Sequence, residues 1–166
     1  LYILLAAGNI GFRWINEFLS EHLLSKKDFP EKAEGKPFFN APGDGFVIYP
    51  LGGKAPEQLL ENERIGVLPG EVNKLLRMSV TSHPDKWIIR QPVTFQNRIY
   101  YNLHRLLRAV DLNTLLSKLK PENLAGEKEY FLPQMEVLAA FRQYPFIITN
   151  TYRLFDACTI SMEFGG

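Results

Sequence analysis

Cysteine is almost missing from this sequence, since Cys158 is the only one among 166 residues. A single cysteine excludes an internal disulfide and a cysteine-rich zinc cluster, and it favours the cytoplasm or another reducing compartment. An excess of charge is missing too, because 19 Lys and Arg nearly balance 18 Asp and Glu. The net charge of +1 gives no broad field that would draw the whole protein to nucleic acid or to an anionic membrane.

Long apolar runs are also absent. The opening LYILLAAG is far shorter than the roughly 20 residues of a membrane-spanning helix, and it lacks the basic flank of a signal peptide. We therefore expect no membrane insertion. The start at Leu1 rather than Met suggests a processed product or a piece of a longer chain.

The residues that are present are those of a globular protein. Apolar residues make up 46%, aromatic residues 13% and charged residues 22% of the chain. A chain of this length is about the size of one domain, so we predict a single α+β domain over 1–166. Periodicity and the placement of proline and glycine give its elements. The predicted helices cover 9–26, 56–64, 69–80, 98–110, 111–120 and 134–143, and the predicted strands cover 45–51, 86–95, 145–153 and 157–164.

These elements predict a small, mostly antiparallel sheet with four to five helices packed against one face. Because helices separate the strands along the chain, a mixed sheet is the alternative. The segment 28–45 is rich in proline, glycine and charge, and it is predicted to be a loop that Phe38 and Phe39 fix to the body of the protein.

For each candidate catalytic residue, a structural role explains the sequence pattern better than a catalytic role does. His22, His83 and His104 lie in three different elements without the spacing that places two imidazoles on one helix face. In a strand, Cys158 would share one face with Ile160 and Met162, and it is interpreted as a core cysteine. The glycines near 43–45 and 52–53 match no phosphate-binding motif, and no carboxylate pair looks buried. We predict no catalytic residues and no metal site, and an enzyme is the less favoured class.

Arginines recur on the helix predicted at 98–110. Arg98, Asn102 and Arg105 recur at helical spacing opposite the leucines, and Arg108 and Tyr101 lie beside them, so the candidate arginines are Arg98, Arg105 and Arg108. Such a row can bind phosphate or stack on bases, which makes it a candidate anion-binding site of an RNA-binding or phosphate-binding module. The simpler interpretation is the solvent-exposed face of an amphipathic helix.

The segment "LPQMEVLAAFRQYPFIITNTYRLFDACT" resembles the entry to the C-terminal barrel domain of molybdopterin oxidoreductases and their complex I large-subunit relatives. In that family an LP segment precedes YP, an apolar strand and a polar row near the pterin. The resemblance covers about 30 residues and implies a cofactor-binding role for part of that row. The matching positions here are Leu132, Pro133, Tyr144, Pro145, Thr149, Thr151, Tyr152 and Arg153, of which Thr149, Thr151, Tyr152 and Arg153 would lie near the pterin.

This sequence departs from that family in three respects, of which the first is that the chain is several-fold too short for such an enzyme. The His-rich continuation is replaced by Phe155, Asp156, Ala157 and Cys158, and the chain has no cysteines for an iron–sulfur cluster. The resemblance therefore implies a fragment or a cofactor-free relative, and we predict no bound cofactor. The favoured function is a non-catalytic binding or assembly domain of a larger complex, with a protein partner or self-association, since aromatic and arginine side chains often dominate interfaces.

Overall fold

The computed structural model describes residues 2–30, 39 and 41–161. It confirms the α+β class. The chain forms two compact units, of which the first comprises Leu1–Arg90 and Ala140–Gly166 and the second comprises Gln91–Ala139. The assignment of 1–166 to one domain stays a prediction.

The first unit contains a four-stranded sheet whose strands lie side by side in chain order. Its first pair is antiparallel, with Leu4 opposite Val47, whereas the other two pairs are parallel. The sheet is thus mixed, as the alternative allowed, and the expectation of a mostly antiparallel sheet was wrong. The strands are β1 (Ile3–Ala6), β2 (Gly45–Pro50), β3 (Glu63–Val67) and β4 (Trp87–Ile89).

Of the four strands in the structure, β2 and β4 were predicted from the sequence, whereas β1 and β3 were not. Strand β2 confirms the prediction for 45–51, and β4 confirms only the beginning of 86–95. Strand β3 begins inside the segment 56–64 that was predicted to be a helix, where only Pro56–Gln58 forms a 3-10 turn. The predicted helix at 69–80 is a 3-10 helix over Pro69–Arg77, and a third 3-10 turn covers Pro84–Lys86.

Helices cover both faces of this sheet, so packing on one face only was a wrong prediction. Helix α1 (Asn9–Ser25) confirms the helix predicted at 9–26, and its Trp14 and Ile15 pack against a cluster formed by Phe39, Val47 and Tyr49. On the other face, Leu154 packs with Ile48 and Ile88. Neighbouring residues of β2 point to opposite faces, so Val47 and Ile48 belong to different clusters. The buried Phe39 agrees with the predicted anchoring of the loop, whereas Phe38 lies outside the described residues.

The element that carries Leu154 is a helix where a strand was predicted. The segment 145–153 belongs to α4 (Pro145–Ala157), which has its proline in the first turn, where a missing N–H is tolerated. Ile147 and Leu154 are both buried and lie two helical turns apart on the same side. Residues 158–161 have no regular structure, so the strand predicted at 157–164 was wrong there, and 162–164 lie outside the described residues.

The second unit contains the helix predicted at 98–110. It is α2 (Arg98–Asp111), and the side chain of Asn97 caps it by accepting a 2.9 Å hydrogen bond from Ile99 N. Phe95 is buried beneath the helix against the rings of Tyr101 and His104. The predicted continuation over 111–120 is replaced by short 3-10 turns, while the helix predicted at 134–143 is confirmed over part of its length. These elements are Leu116–Lys118, Pro121–Asn123 and α3 (Gln134–Ala140).

Candidate functional site

The polar residues predicted to bind a cofactor lie on α4, and they differ in exposure and in contacts. They are Thr149, Thr151, Tyr152 and Arg153. Thr151 Oγ1 donates to Ile147 O at 2.8 Å and accepts from Ile89 N, also at 2.8 Å, so it connects the helix to β4. Thr149 is exposed, and its hydroxyl donates only to Pro145 O within the same helix, at 3.1 Å. Tyr152 is also exposed. Thr149, Tyr152 and Arg153 are three and four residues apart and share the exposed side of the helix, whereas Thr151 faces the sheet, so the four residues do not form one surface.

Asn150 belongs to the same segment but had no place among the predicted site residues. Its amide nitrogen donates to Pro84 O at 2.7 Å and to Trp87 O at 3.0 Å. Both carbonyls lie more than 60 residues away in sequence, so Asn150 holds the turn before β4 against the helix. Nothing in a single sequence signals such a long-range contact.

A pocket of about 140 Å³ opens beside Asn150, between α4 and the ends of the strands where their chains enter the sheet. Arg153 lines it, whereas the other three residues of the predicted row do not. Sequence analysis singled out Arg153 but missed Arg64, the second arginine of the pocket. The lining residues are Phe46, Arg64, Asp85, Asn150, Arg153 and Leu154.

Arg64 is half-buried and firmly held. Its Nη1 donates to Glu61 O at 2.6 Å and to Glu63 O at 2.8 Å, and its guanidinium lies 5.4 Å from the centre of the Phe46 ring. Burial lowers the pKa of Arg64, while the carboxylates of Asp85 and Glu61 act in the opposite direction. Asp85 in turn lies 3.6 Å from Lys86 Nζ. Among the residues described, neither Arg64 nor Arg153 has a carboxylate oxygen within the 4.0 Å of an ion pair.

Glu63 forms a second polar cluster in the same unit. Its carboxylate is 2% exposed and accepts hydrogen bonds from Tyr49 Oη at 2.9 Å, Lys54 Nζ at 2.5 Å and Leu60 N at 2.8 Å. Burial and the contact with Glu63 raise the pKa of Tyr49. A buried carboxylate with three donors is a stabilised structural group.

The predicted anion-binding arginines of α2 have partners within the chain. Arg98 Nη2 lies 3.2 Å from Glu127 Oε1, and Arg108 Nη1 lies 2.5 Å from Asp111 Oδ2. Arg105 lies 6.0 Å from the centre of the Tyr101 ring. A phosphate would have to compete with these contacts, and the anion-binding role of the three arginines stays a prediction.

The apolar side of α2, opposite the arginines, is not buried as it usually is in an amphipathic helix. Its apolar side chains are exposed, whereas Arg105 and Arg108 are half-buried and Ala109 is buried. The expectation that the arginines form the solvent-exposed face was therefore wrong for Arg105 and Arg108. We call the exposed residues the apolar α2 face, which consists of Ile99, Leu103, Leu106, Leu107 and Val110.

The remaining candidates do not combine into a site. Cys158 follows the last turn of α4 rather than lying in a strand, and burial raises the pKa of its thiol, which disfavours the nucleophilic thiolate. Within 2–30, 39 and 41–161, no group of three or more His, Cys, Asp or Glu side chains could hold a metal ion. No helix in the part of the chain that the structure describes is long and apolar enough to cross a membrane.

Comparison of the chain with family models, curated proteins and solved structures finds no match. The resemblance to molybdopterin oxidoreductases is therefore untested and stays a hypothesis. The apolar strand that it implies before Thr149 is part of α4 here.

Proposed function

We propose that this chain is a non-catalytic assembly domain that pairs with a second copy of itself through the apolar α2 face. The supporting observation is the outward orientation of its leucines: Leu106 is 49% and Leu107 is 58% exposed, while Arg105 and Arg108 of the same helix are half-buried. Contiguous apolar surface of this kind marks interaction sites in folded proteins.

The spacing of the face suits a second helix. Ile99, Leu103, Leu106 and Val110 are separated by four, three and four residues, which is the spacing of side chains that meet along two packed helices. A copy of α2 has the same spacing, so two copies related by a two-fold axis can place these side chains against each other.

Charge also favours a second copy. The contact would be flanked by Tyr100 and Asn102, which are uncharged. Arg105 and Arg108 lie on the other side of the helix, where Arg108 pairs with Asp111. Two copies would therefore meet without repulsion between like charges, and no strongly charged partner is called for.

The size of the face predicts a reversible dimer. A helix of 14 residues is about 21 Å long, and a single such helix provides less than the roughly 800 Å² per partner of a standard interface. We expect self-association that rises with protein concentration.

Sedimentation equilibrium over a series of concentrations tests this proposal. We expect the wild-type protein to pass from monomer to dimer, and we expect the double variant Leu103→Gln, Leu106→Gln to remain monomeric. Both side chains are exposed, so their replacement should change the free energy of unfolding by less than about 0.5 kcal/mol per site.

Leu76→Gln is the matched control, because Leu76 is 72% exposed but lies in the first unit. It should dimerise like the wild type. A wild-type protein that stays monomeric at every concentration, or a double variant that dimerises as well as Leu76→Gln, would overturn the proposal.

The two alternatives have less support. The pocket beside Arg153, at about 140 Å³, is smaller than the roughly 300–1,000 Å³ of sites for drug-sized ligands, which disfavours a pterin. An RNA-binding role of Arg98, Arg105 and Arg108 would require these side chains to leave their present partners.

A further inference from the structure

We propose that the pocket between α4 and the sheet binds a small organic carboxylate, whose oxygens are held by Arg64 and Arg153 and whose hydrocarbon part contacts Phe46 and Leu154. This inference concerns the first unit and does not depend on the apolar α2 face of the second unit. It assigns a ligand class to a pocket that the sequence did not reveal.

The charges of the pocket favour an anion. Two guanidinium groups and one carboxylate line it, and the carboxylate of Asp85 is 64% exposed and lies near Lys86. Arg64 and Arg153 are thus left without a close carboxylate among the described residues. The pocket therefore keeps a positive charge around the half-buried Arg64, which the exposed Asp85 offsets only in part, and an anion that enters the pocket would reduce this charge.

The guanidinium of Arg64 is held in position before any ligand binds. Arg64 donates to two backbone carbonyls through Nη1, which holds the guanidinium against the Phe46 ring and leaves its other N–H groups for a ligand. Pre-organised donors lose little conformational entropy on binding, which raises the affinity for a small ligand.

The residues that line the pocket favour a carboxylate over phosphate. Arginine pairs with carboxylate in a planar, bidentate geometry, and two arginines against one aspartate suit a single negative charge better than the two of phosphate. Phe46 and the buried Leu154 provide apolar surface, which an inorganic anion cannot use. A volume of about 140 Å³ limits the ligand to a short chain.

Titration of the ¹⁵N-labelled protein with acetate, propionate and inorganic phosphate tests the assignment. We expect saturable shifts of the backbone amides of Phe46, Arg64 and Leu154. Propionate should bind about fourfold more tightly than acetate, because it buries one more methylene group. Phosphate should bind more weakly than either carboxylate.

Arg153→Gln should weaken propionate binding about tenfold or more, since it removes a charge-assisted pair of hydrogen bonds. Arg153 is exposed, so the variant should keep the amide spectrum of the folded protein. Arg153→Lys keeps the charge without the planar fork and should give an intermediate affinity.

Arg142→Gln is the control, because it removes the same charge from an exposed position of the same unit that does not line the pocket. It should bind propionate like the wild type. Equal binding by Arg153→Gln and Arg142→Gln, tighter binding of phosphate than of propionate, or the absence of saturation would each overturn the proposal.

Discussion

The carboxylate of Glu63 is buried at the start of β3, yet all three of its neighbours are donors. Burial of an unpaired carboxylate would cost several kcal/mol, and Tyr49, Lys54 and Leu60 N offset this cost. Because Tyr49 belongs to β2 and Lys54 follows it, the cluster fixes the segment that connects β2 to β3. The role of Glu63 is therefore structural.

Replacing Tyr49 with Phe should measure this contribution. The variant keeps the ring in its buried site and removes only the hydroxyl that donates to Glu63. Because hydrogen bonds to charged groups contribute about 1.5–3 kcal/mol, we expect the free energy of unfolding in urea at neutral pH to fall by that amount. Tyr100→Phe, at an exposed tyrosine, should change it by less than about 0.5 kcal/mol.

The same variant should alter the response to alkaline pH. Burial, together with the hydrogen bond to Glu63, raises the pKa of Tyr49 above its ordinary value of 10.0. The folded state therefore holds the phenol proton more tightly than the unfolded state does. This contribution is fully present below about pH 10 and is lost as the pH rises further. We therefore expect the wild type to lose more stability above pH 10 than Tyr49→Phe does. If the two proteins lost stability in parallel, Tyr49 would not be the cause of the alkaline loss.

At the scale of elements, α4 is attached to the sheet by polar side chains as well as by Leu154. Asn150→Ala removes hydrogen bonds to the carbonyls of Pro84 and Trp87, and we expect a loss of about 1–3 kcal/mol in the free energy of unfolding. Thr149→Ala is the neighbouring control, since its hydroxyl is exposed and bonds only within its own helix. Chemical denaturation of both variants would show the difference, and equal losses would contradict this role of Asn150.

The composition of α4 explains why it was predicted as a strand. The text PFIITNT is rich in β-branched residues, which favour strands when they are considered locally. The helix forms because Pro145 suits a first turn and because Ile147 and Leu154 face the sheet together. The burial of these two side chains on one side of the helix outweighs the local preference for a strand. That burial depends on the sheet, which the sequence of the segment alone does not specify.

The orientation of α2 is another feature that periodicity could not supply. The spacing of its leucines located the helix correctly, because spacing depends only on the helical repeat. Which side faces inward depends on the neighbours, and here Phe95 packs against Tyr101 and His104 on the polar side. Of the two arginines that line the pocket, Arg153 was singled out through the family resemblance, and its binding role stays a prediction. Arg64 was missed because the beginning of its strand was predicted as part of a helix.

At the scale of the whole molecule, the first unit is built from two separated parts of the chain. Its sheet comes from residues before Arg90, but one face of that sheet is covered by α4, which comes after Ala140. Leu154 closes the cluster of Ile48 and Ile88. The sheet therefore cannot complete its core until the last helix is present.

A chain that ends at residue 139 should accordingly fail to fold its first unit. Without α4, the apolar side chains of Ile48 and Ile88 would be exposed, and the hydrogen bonds that Asn150 and Thr151 make to β4 and to the turn before it would be lost. We expect urea unfolding of this fragment, followed by tryptophan fluorescence, to lack the cooperative transition of the full chain, because Trp87 lies in β4. Addition of the peptide 140–166 should restore the transition, since it supplies the missing face of the core. A fragment that unfolds cooperatively without the peptide would show that the sheet is stable with α1 alone.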